Sequence, residues 1–230
     1  MEITEDTYKE MQAFFAKNKY LVIRNFLDSN TSGLLYQYCL AKTQQIDFKS
    51  TFDTENYDPD WDGNFFDHQA PGCYSVYGDV LMDTVLAASR PAIEKYTGLE
   101  LLANYSYWRL YQKGIDLKRH RDRGSCEISI TLCLGYNTSN LNQTEYANYD
   151  WPMFVETNEF EGTDSVPVNM KPGDMIIYRG CEVDHWREPF LGLNHAQVFL
   201  HYNDKNGPIP NMYDGRPCIG VPKRFQQNGG

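Results

Sequence analysis

Two stretches of this sequence carry residues that could hold a metal. His120-Arg121-Asp122 sets an imidazole and a carboxylate two residues apart, which on an extended strand brings both side chains to one side. The triplet alone is a weak signal: with 5 His and 31 acidic residues among 230, roughly 0.7 His-x-acid triplets are expected by chance. A second imidazole, His185, lies far downstream. It follows Lys171-Pro172-Gly173-Asp174-Met175-Ile176-Ile177-Tyr178, which reads as a tight turn feeding an apolar strand able to return His185 to the first pair. Two imidazoles and one carboxylate on one face of an octahedron leave three positions open, which suits Fe(II) that must take a co-substrate and O2 together. Zinc would usually take a tetrahedral site with one open position.

The elements that must position these residues change character near residue 101. Before it the chain reads as mainly helical. A first helix spans Glu5 to Lys17, with Tyr8, Met11, Phe14 and Phe15 at helical spacing. A short strand covers Tyr20 to Ile23, and Asp28 is placed to cap a helix through Leu34, Leu35, Tyr38 and Leu40. Residues 46–75 read as a long loop rich in Asp, Asn, Gly and aromatics (Tyr57, Trp61, Phe65, Phe66), either a lid or an ordered surface loop. A third helix should run from Asp79 to Tyr96, stopped by Gly98 and kinked or broken at Pro91.

From Leu102 to Tyr202 the period becomes two, as in a sandwich or barrel. One face of the first run carries Tyr105, Tyr107, Arg109 and Tyr111, and the other carries Ser106, Trp108 and Leu110. The next run sets Glu127, Ser129, Thr131 and Cys133 against Ile128, Ile130, Leu132 and Leu134, and the last sets His195, Gln197, Phe199 and His201 against Ala196, Val198, Leu200 and Tyr202. Two readings follow: the polar faces meet solvent, or the helices cover the greasy faces and the polar faces line a pocket.

Composition narrows the partners. A net charge of −10 repels phosphate backbones and anionic headgroups, so no nucleic acid and no membrane surface is expected. No apolar run approaches the roughly 20 residues of a spanning helix, and Met1 to Asp6 has neither the basic nor the apolar region of a signal peptide. The six cysteines, at irregular intervals and without a C-x-x-C, read as reduced core residues and imply a cytoplasmic setting.

The stretch Tyr111-Gln112-Lys113-Gly114-Ile115-Asp116-Leu117-Lys118-Arg119-His120-Arg121-Asp122-Arg123 resembles the approach to the metal site in Fe(II)/2-oxoglutarate-dependent oxygenases of the prolyl-hydroxylase-like group, where a Tyr and a Gly precede the His-x-Asp pair. Gly173-Asp174 through His185 to Pro189, and on to Gln197-Val198-Phe199-Leu200, resembles that family's closing strands with the distal His; Tyr20 to Leu27 resembles its leading strand. The resemblance covers about residues 103–204. It implies an α+β fold: a double-stranded β-helix (jelly roll, cupin-like) with N-terminal helices packed on the major sheet. The expected organisation is one oxygenase domain over 1–230, with helical support and a lid loop in 1–101, the jelly-roll core in 102–204 and a C-terminal wrap in 205–230.

The resemblance further implies Fe(II) held by His120, Asp122 and His185, which form the catalytic centre. It implies 2-oxoglutarate bound through its 1-carboxylate and keto oxygen, O2 at the remaining position, and hydroxylation of a C–H bond with release of succinate and CO2. The substrate would be peptidyl, including prolyl, or a small molecule. One departure concerns the co-substrate. The family places an Arg or Lys about ten positions beyond the distal His to pair with the far carboxylate; here that position is His195. A protonated His195 with Tyr111 as a second donor, or Arg109 on the same face as Tyr111, are the candidates, with His201 behind them. Trp186 and Arg187, just past the distal His, are candidates to reach substrate or simple rim residues, and Arg123 reads as a local ion-pair partner. The missing cation also leaves open a non-catalytic metal-binding cupin-like or sensor domain. Repair of alkylated nucleic acid is disfavoured by the charge and by the lack of arginines between Arg187 and Arg216.

Overall fold

The computed structural model describes residues 3–144, 149–156 and 165–227, so the two ends of the expected domain, 1–2 and 228–230, lie outside the described residues. In chain order the elements are α1 (Glu5–Asn18), β1 (Tyr20–Ile23), α2 (Ser29–Phe52), α3 (Pro59–Asp62), β2 (Tyr74–Tyr77), α4 (Val80–Thr97), β3 (Leu101–Gln112), β4 (Leu117–His120), β5 (Ile128–Asn137), β6 (Met153–Glu156), β7 (Val166–Val168), β8 (Met175–Arg179), β9 (Asp184–Arg187) and β10 (Asn194–Asp204).

Helix ends follow local chemistry. The Asp28 carboxylate accepts from the amides of Asn30 and Thr31, and that of Asp79 from Leu81 and Met82, so both helices start where the unpaired first-turn donors find an acceptor. Gly98, at φ 74°, ends α4 in the left-handed conformation that glycine adopts without a Cβ penalty. Pro91 does not break α4. It lies on the exposed side together with Ala87, whose carbonyl loses its amide donor but can be hydrated there. The expected loop over 46–75 begins later than predicted, because α2 continues to Phe52. Ile46 is buried on it while Phe48 and Phe52 remain exposed, stacked one turn apart at 5.5 Å, so the aromatic content of this stretch misled the composition-based boundary.

The strands form two antiparallel sheets. The larger runs β1-β8-β5-β10-β3-β2 and the smaller β4-β9-β6-β7, the double-stranded β-helix with helices outside the major sheet. The alternation in β3, β5 and β10 resolves in favour of the pocket reading. Trp108, Leu110, Ile128, Ile130, Leu132, Val198 and Leu200 pack under the helices with Leu35, Met82, Leu86 and Ile93, and the polar faces turn inward toward the smaller sheet. The turn before β8 forms as expected: Gly173 takes φ 91° and donates to Cys133 O at 2.8 Å, while Asp174 accepts from the amides of Asn25 and Lys171. That carboxylate ties the end of the leading strand to the strand that precedes His185. Among the described residues, no helix is long and apolar enough to cross a membrane.

The segment after β10 is held by a buried ion pair. Arg216 Nη1 donates to Asp83 Oδ2 at 3.0 Å with both side chains fully inaccessible, and Asp83 also accepts from the Ser106 amide, the Ser106 hydroxyl and the Gly220 amide. Removing one partner leaves an uncompensated buried charge. Asp83→Ala should therefore cost about 3–5 kcal/mol, measured as a shift in urea midpoint, and should expose the chain beyond Asp204 to limited proteolysis.

Candidate metal centre

His120 closes β4 and His185 lies in β9, and the two are paired residues across these antiparallel strands, with ring centroids 4.2 Å apart. Asp122 lies beyond the end of β4, so an extended strand is not what aims it. Its amide donates to Gly180 O at 2.8 Å, and Gly180 permits this closeness because a Cβ there would collide with Asp122 Oδ2, Cys126 O and Ser129 Oγ. The result is that Asp122 Oδ1 stands 3.5 Å from His120 Nε2 and 3.6 Å from His185 Nε2. The three sequence-predicted ligands are brought together.

The tautomers are set from outside the cluster. His120 Nδ1 lies 2.7 Å from Lys118 O, and His185 Nδ1 lies 3.1 Å from Val183 O. A carbonyl only accepts, so each Nδ1 carries the proton and each Nε2 presents a lone pair to the carboxylate. Three acceptors facing one another repel unless a cation lies between them. The spacings are wider than the roughly 3 Å between cis ligands at bond lengths near 2.1 Å, and closing that gap takes about half an ångström. The residues present therefore fit a divalent metal, with three protein ligands on one side of it.

Around the ligands, Ser129 Oγ donates to Asp122 Oδ2 at 2.7 Å and lies 3.0 Å from His201 Nδ1. On the outer side, Arg119 and Arg121 both bind Asp184, at 2.8 and 2.6 Å, and Arg119 stacks over Trp186 at 4.9 Å. Trp186 thus alternates away from His185 and rests on Phe154, outside the site. Arg123 is the expected local partner: it pairs with Asp214, its Nη1 3.0 Å from Oδ1, and covers Tyr105.

A cavity of about 470 Å³ opens onto the three ligands. Its walls are aromatic and polar, with Tyr105, Tyr107, Tyr178, Phe199 and Arg109 from the inward faces of the major sheet; Asp60, Asn64, Asp67 and Gln69 come from the segment after α2, and Lys223 from the chain's last turn. Arg109 is already engaged. Its Nε donates to Asp67 Oδ2 at 2.6 Å, its Nη2 to Gln69 Oε1 at 2.6 Å and its Nη1 to the Tyr111 hydroxyl at 3.3 Å. Burial would raise the Asp67 carboxyl, but the Arg109 charge and hydrogen bond win and lower it. Tyr111 is completely buried, its phenol pushed up to about 12 by burial.

His195 sits elsewhere. It borders a second, smaller cavity of about 220 Å³, stacked on Tyr136 at 5.1 Å and against Trp151 at 4.8 Å. Burial, with the charge of Arg187 nearby, holds its pKa well below the ordinary value, so the imidazole is neutral. Sequence reasoning named His201 only as a distant candidate for co-substrate, named Ser129 only as a member of an alternating polar face, and did not name Gly180. The parity of β5 and β10 carried the signal for the first two, since Ser129 and His201 are cross-strand partners on the inward face.

No family model matches the sequence, and no curated protein matches it. Solved structures do match in fold. A Pseudomonas putida prolyl-4-hydroxylase aligns at 18% identity over 86% of this chain and 98% of that one, TM-score 0.58. The non-heme alpha-ketoglutarate-dependent epimerase SnoN from nogalamycin biosynthesis aligns at 12% identity over 96% and 98%, TM-score 0.61. EctD from S. alaskensis with 2-oxoglutarate and 5-hydroxyectoine aligns at 16% identity over 99% and 88%, TM-score 0.59. The chain shares the fold of these 2-oxoglutarate-linked proteins and carries a His-Asp-His cluster suited to a metal.

His201 makes the metal-free fold sensitive to acid. Burial pushes its pKa down to about 4, against the attraction of Asp122, while in the unfolded chain it returns to about 6.5. Above pH 6.5 both states are neutral at this site and stability is flat. Below it the unfolded chain takes a proton that the folded state refuses until about pH 4, so about 3 kcal/mol should be lost across that window. His195 adds in the same direction. Urea midpoints of metal-free protein at pH 7 and pH 4 measure the loss, and His201→Gln should flatten part of the slope.

Proposed function

We propose that this chain is an Fe(II)- and 2-oxoglutarate-dependent dioxygenase that hydroxylates a C–H bond of a small molecule, releasing succinate and CO2. The observation that carries the reading is the convergence of two Nε2 lone pairs and a carboxylate oxygen, with both Nδ1 protons tied to backbone carbonyls. That donor set leaves half an octahedron for a chelating 2-oxo acid and O2. Bound there, iron supplies the oxidative chemistry: one oxygen atom enters the substrate C–H bond and the other enters succinate as CO2 is lost.

The chain's own residues position, orient and exclude water. His120, Asp122 and His185 hold the ion, and Ser129 and His201 fix the carboxylate's orientation. Phe199, Tyr178 and Leu117 give the cavity wall an apolar and aromatic surface next to the ligands. A small-molecule substrate is favoured by the way the mouth is bridged. Arg224 from the C-terminal segment pairs with Asp58 at 2.8 Å and Asp60 at 3.3 Å, and Phe225 meets Trp61 at 6.2 Å. The segment around α3 and the C-terminal segment therefore meet beside the cavity that both help to line, which narrows the room for an extended peptide. The six cysteines are all free thiols, in keeping with a reducing, cytoplasmic setting. The reading takes the chain as a single catalytic domain, supported by both sheets contributing residues to one candidate site.

Anaerobic addition of 2-oxoglutarate to the Fe(II) protein should produce a visible metal-to-ligand charge-transfer band, and admission of O2 should then yield succinate. His185→Ala should lose both, and Ser129→Ala should weaken iron binding by about 10–100-fold. Iron uptake with neither band nor succinate would instead identify a non-catalytic metal-binding module.

A further inference from the structure

Arg187 is two residues beyond His185 on the same inward face of β9 and is buried to 1% exposure. Among the described residues no carboxylate pairs with it. Its Nη1 donates to Trp151 O at 2.7 Å, its Nη2 meets only the thioether of Met170 at 3.4 Å, and its Nε has no partner. A thioether is a weak acceptor, so the Nε–Nη2 edge of the guanidinium, the edge that grips a carboxylate with two parallel bonds, is left without a strong acceptor. A fully buried cation in this condition is costly to the fold unless an anion arrives to meet it.

The surroundings are built to present that edge. The guanidinium stacks on Trp151 at 4.5 Å, and the same indole packs edge-on against Tyr111 at 5.0 Å. The Tyr111 hydroxyl accepts from Arg109 and so keeps its own proton to give. The arginines lining the metal cavity are spent, Arg109 on Asp67, Arg121 on Asp184 and Arg123 on Asp214, and its one lysine, Lys223, is exposed at the wall.

We propose that Arg187, not the residue ten positions past the distal histidine, holds the far carboxylate of a five-carbon 2-oxo diacid chelated at the metal, with Tyr111 as second donor. The proposal rests on the dioxygenase reading above and adds where that co-substrate is anchored. His195 then serves as a neutral member of the aromatic wall behind Trp151.

The test compares 2-oxoglutarate with 2-oxopentanoate, which replaces the far carboxylate by a methyl group, titrated anaerobically into Fe(II) protein and read by the charge-transfer band. Wild type should prefer the diacid by about 100-fold, Arg187→Met should lose that preference by weakening the diacid while 2-oxopentanoate binds within about threefold of wild type, and Arg187→Lys should recover part of it. In thermal melts of the metal-free protein, Arg187→Met should be no less stable than wild type, as fits removal of an unpaired buried charge. Arg187→Met binding both acids as wild type does, or losing both equally, would overturn the proposal. Should the Arg187 variants fail to fold, His195→Ala decides: a preference kept supports Arg187, and one erased overturns it. Wild type with a band but no preference sinks this proposal alone; iron uptake with no band from either acid sinks the dioxygenase reading with it.

Discussion

Mutual repulsion among three acceptor atoms organises this molecule. His120 and His185 each spend their one ring proton on a backbone carbonyl two residues upstream, and so turn an unprotonated nitrogen toward a carboxylate that also has nothing to donate. Such an arrangement is stable in a fold only if a cation answers it, and the rest of the structure holds the three atoms in place until one does. The antiparallel pairing of β4 with β9 sets the two imidazoles opposite one another. Gly180 lets the Asp122 backbone close in, and Ser129 turns the carboxylate edge toward the rings.

The same logic extends inward along the barrel. The major sheet is greasy on its outer face, where helices cover it, and polar on its inner face, the inverse of a sheet that shows its polar side to water. Inside, charges are met one by one: Arg109 by Asp67 and Arg123 by Asp214. Arg187 stands apart because it is as buried as any of these and yet, among the described residues, it hydrogen-bonds only to a carbonyl and a thioether. A buried guanidinium two residues from a candidate metal ligand and without a carboxylate is costly unless an anion meets it, and meeting one is the role proposed for Arg187.

The cavity mouth depends on segments that contribute no strand to the core. Asp83 and Arg216 fasten the chain's last stretch across α4 and β3, which allows Lys223, Arg224 and Phe225 to reach the segment around α3. The cavity mouth is therefore shaped by ion pairs and aromatic contacts remote from the candidate ligands, while the fold that carries those ligands is shared with proteins that are under 20% identical to this one.

Periodicity in the sequence alone determined the major elements, since alternation in β3, β5 and β10, Asp caps on α2 and α4, and Gly98 are local signals with local causes. The sequence also offered His120, Asp122 and His185 as candidate ligands, through the His-x-Asp pair and the resemblance of the flanking stretches, and the fold brings these three together. It did not determine where the polar faces look: that required the smaller sheet to close over them, a long-range event invisible to any window of residues. Nor could it weigh the competing cations. Arg109, Arg187 and His195 all lie on inward faces, and only the packing decides that Asp67 neutralises the first, that burial discharges the last, and that the guanidinium between them is left with an edge that lacks a strong acceptor. Side-chain type is written in the chain, but a charge acquires its value from its neighbours and from the water excluded around it, and both are properties of the tertiary structure.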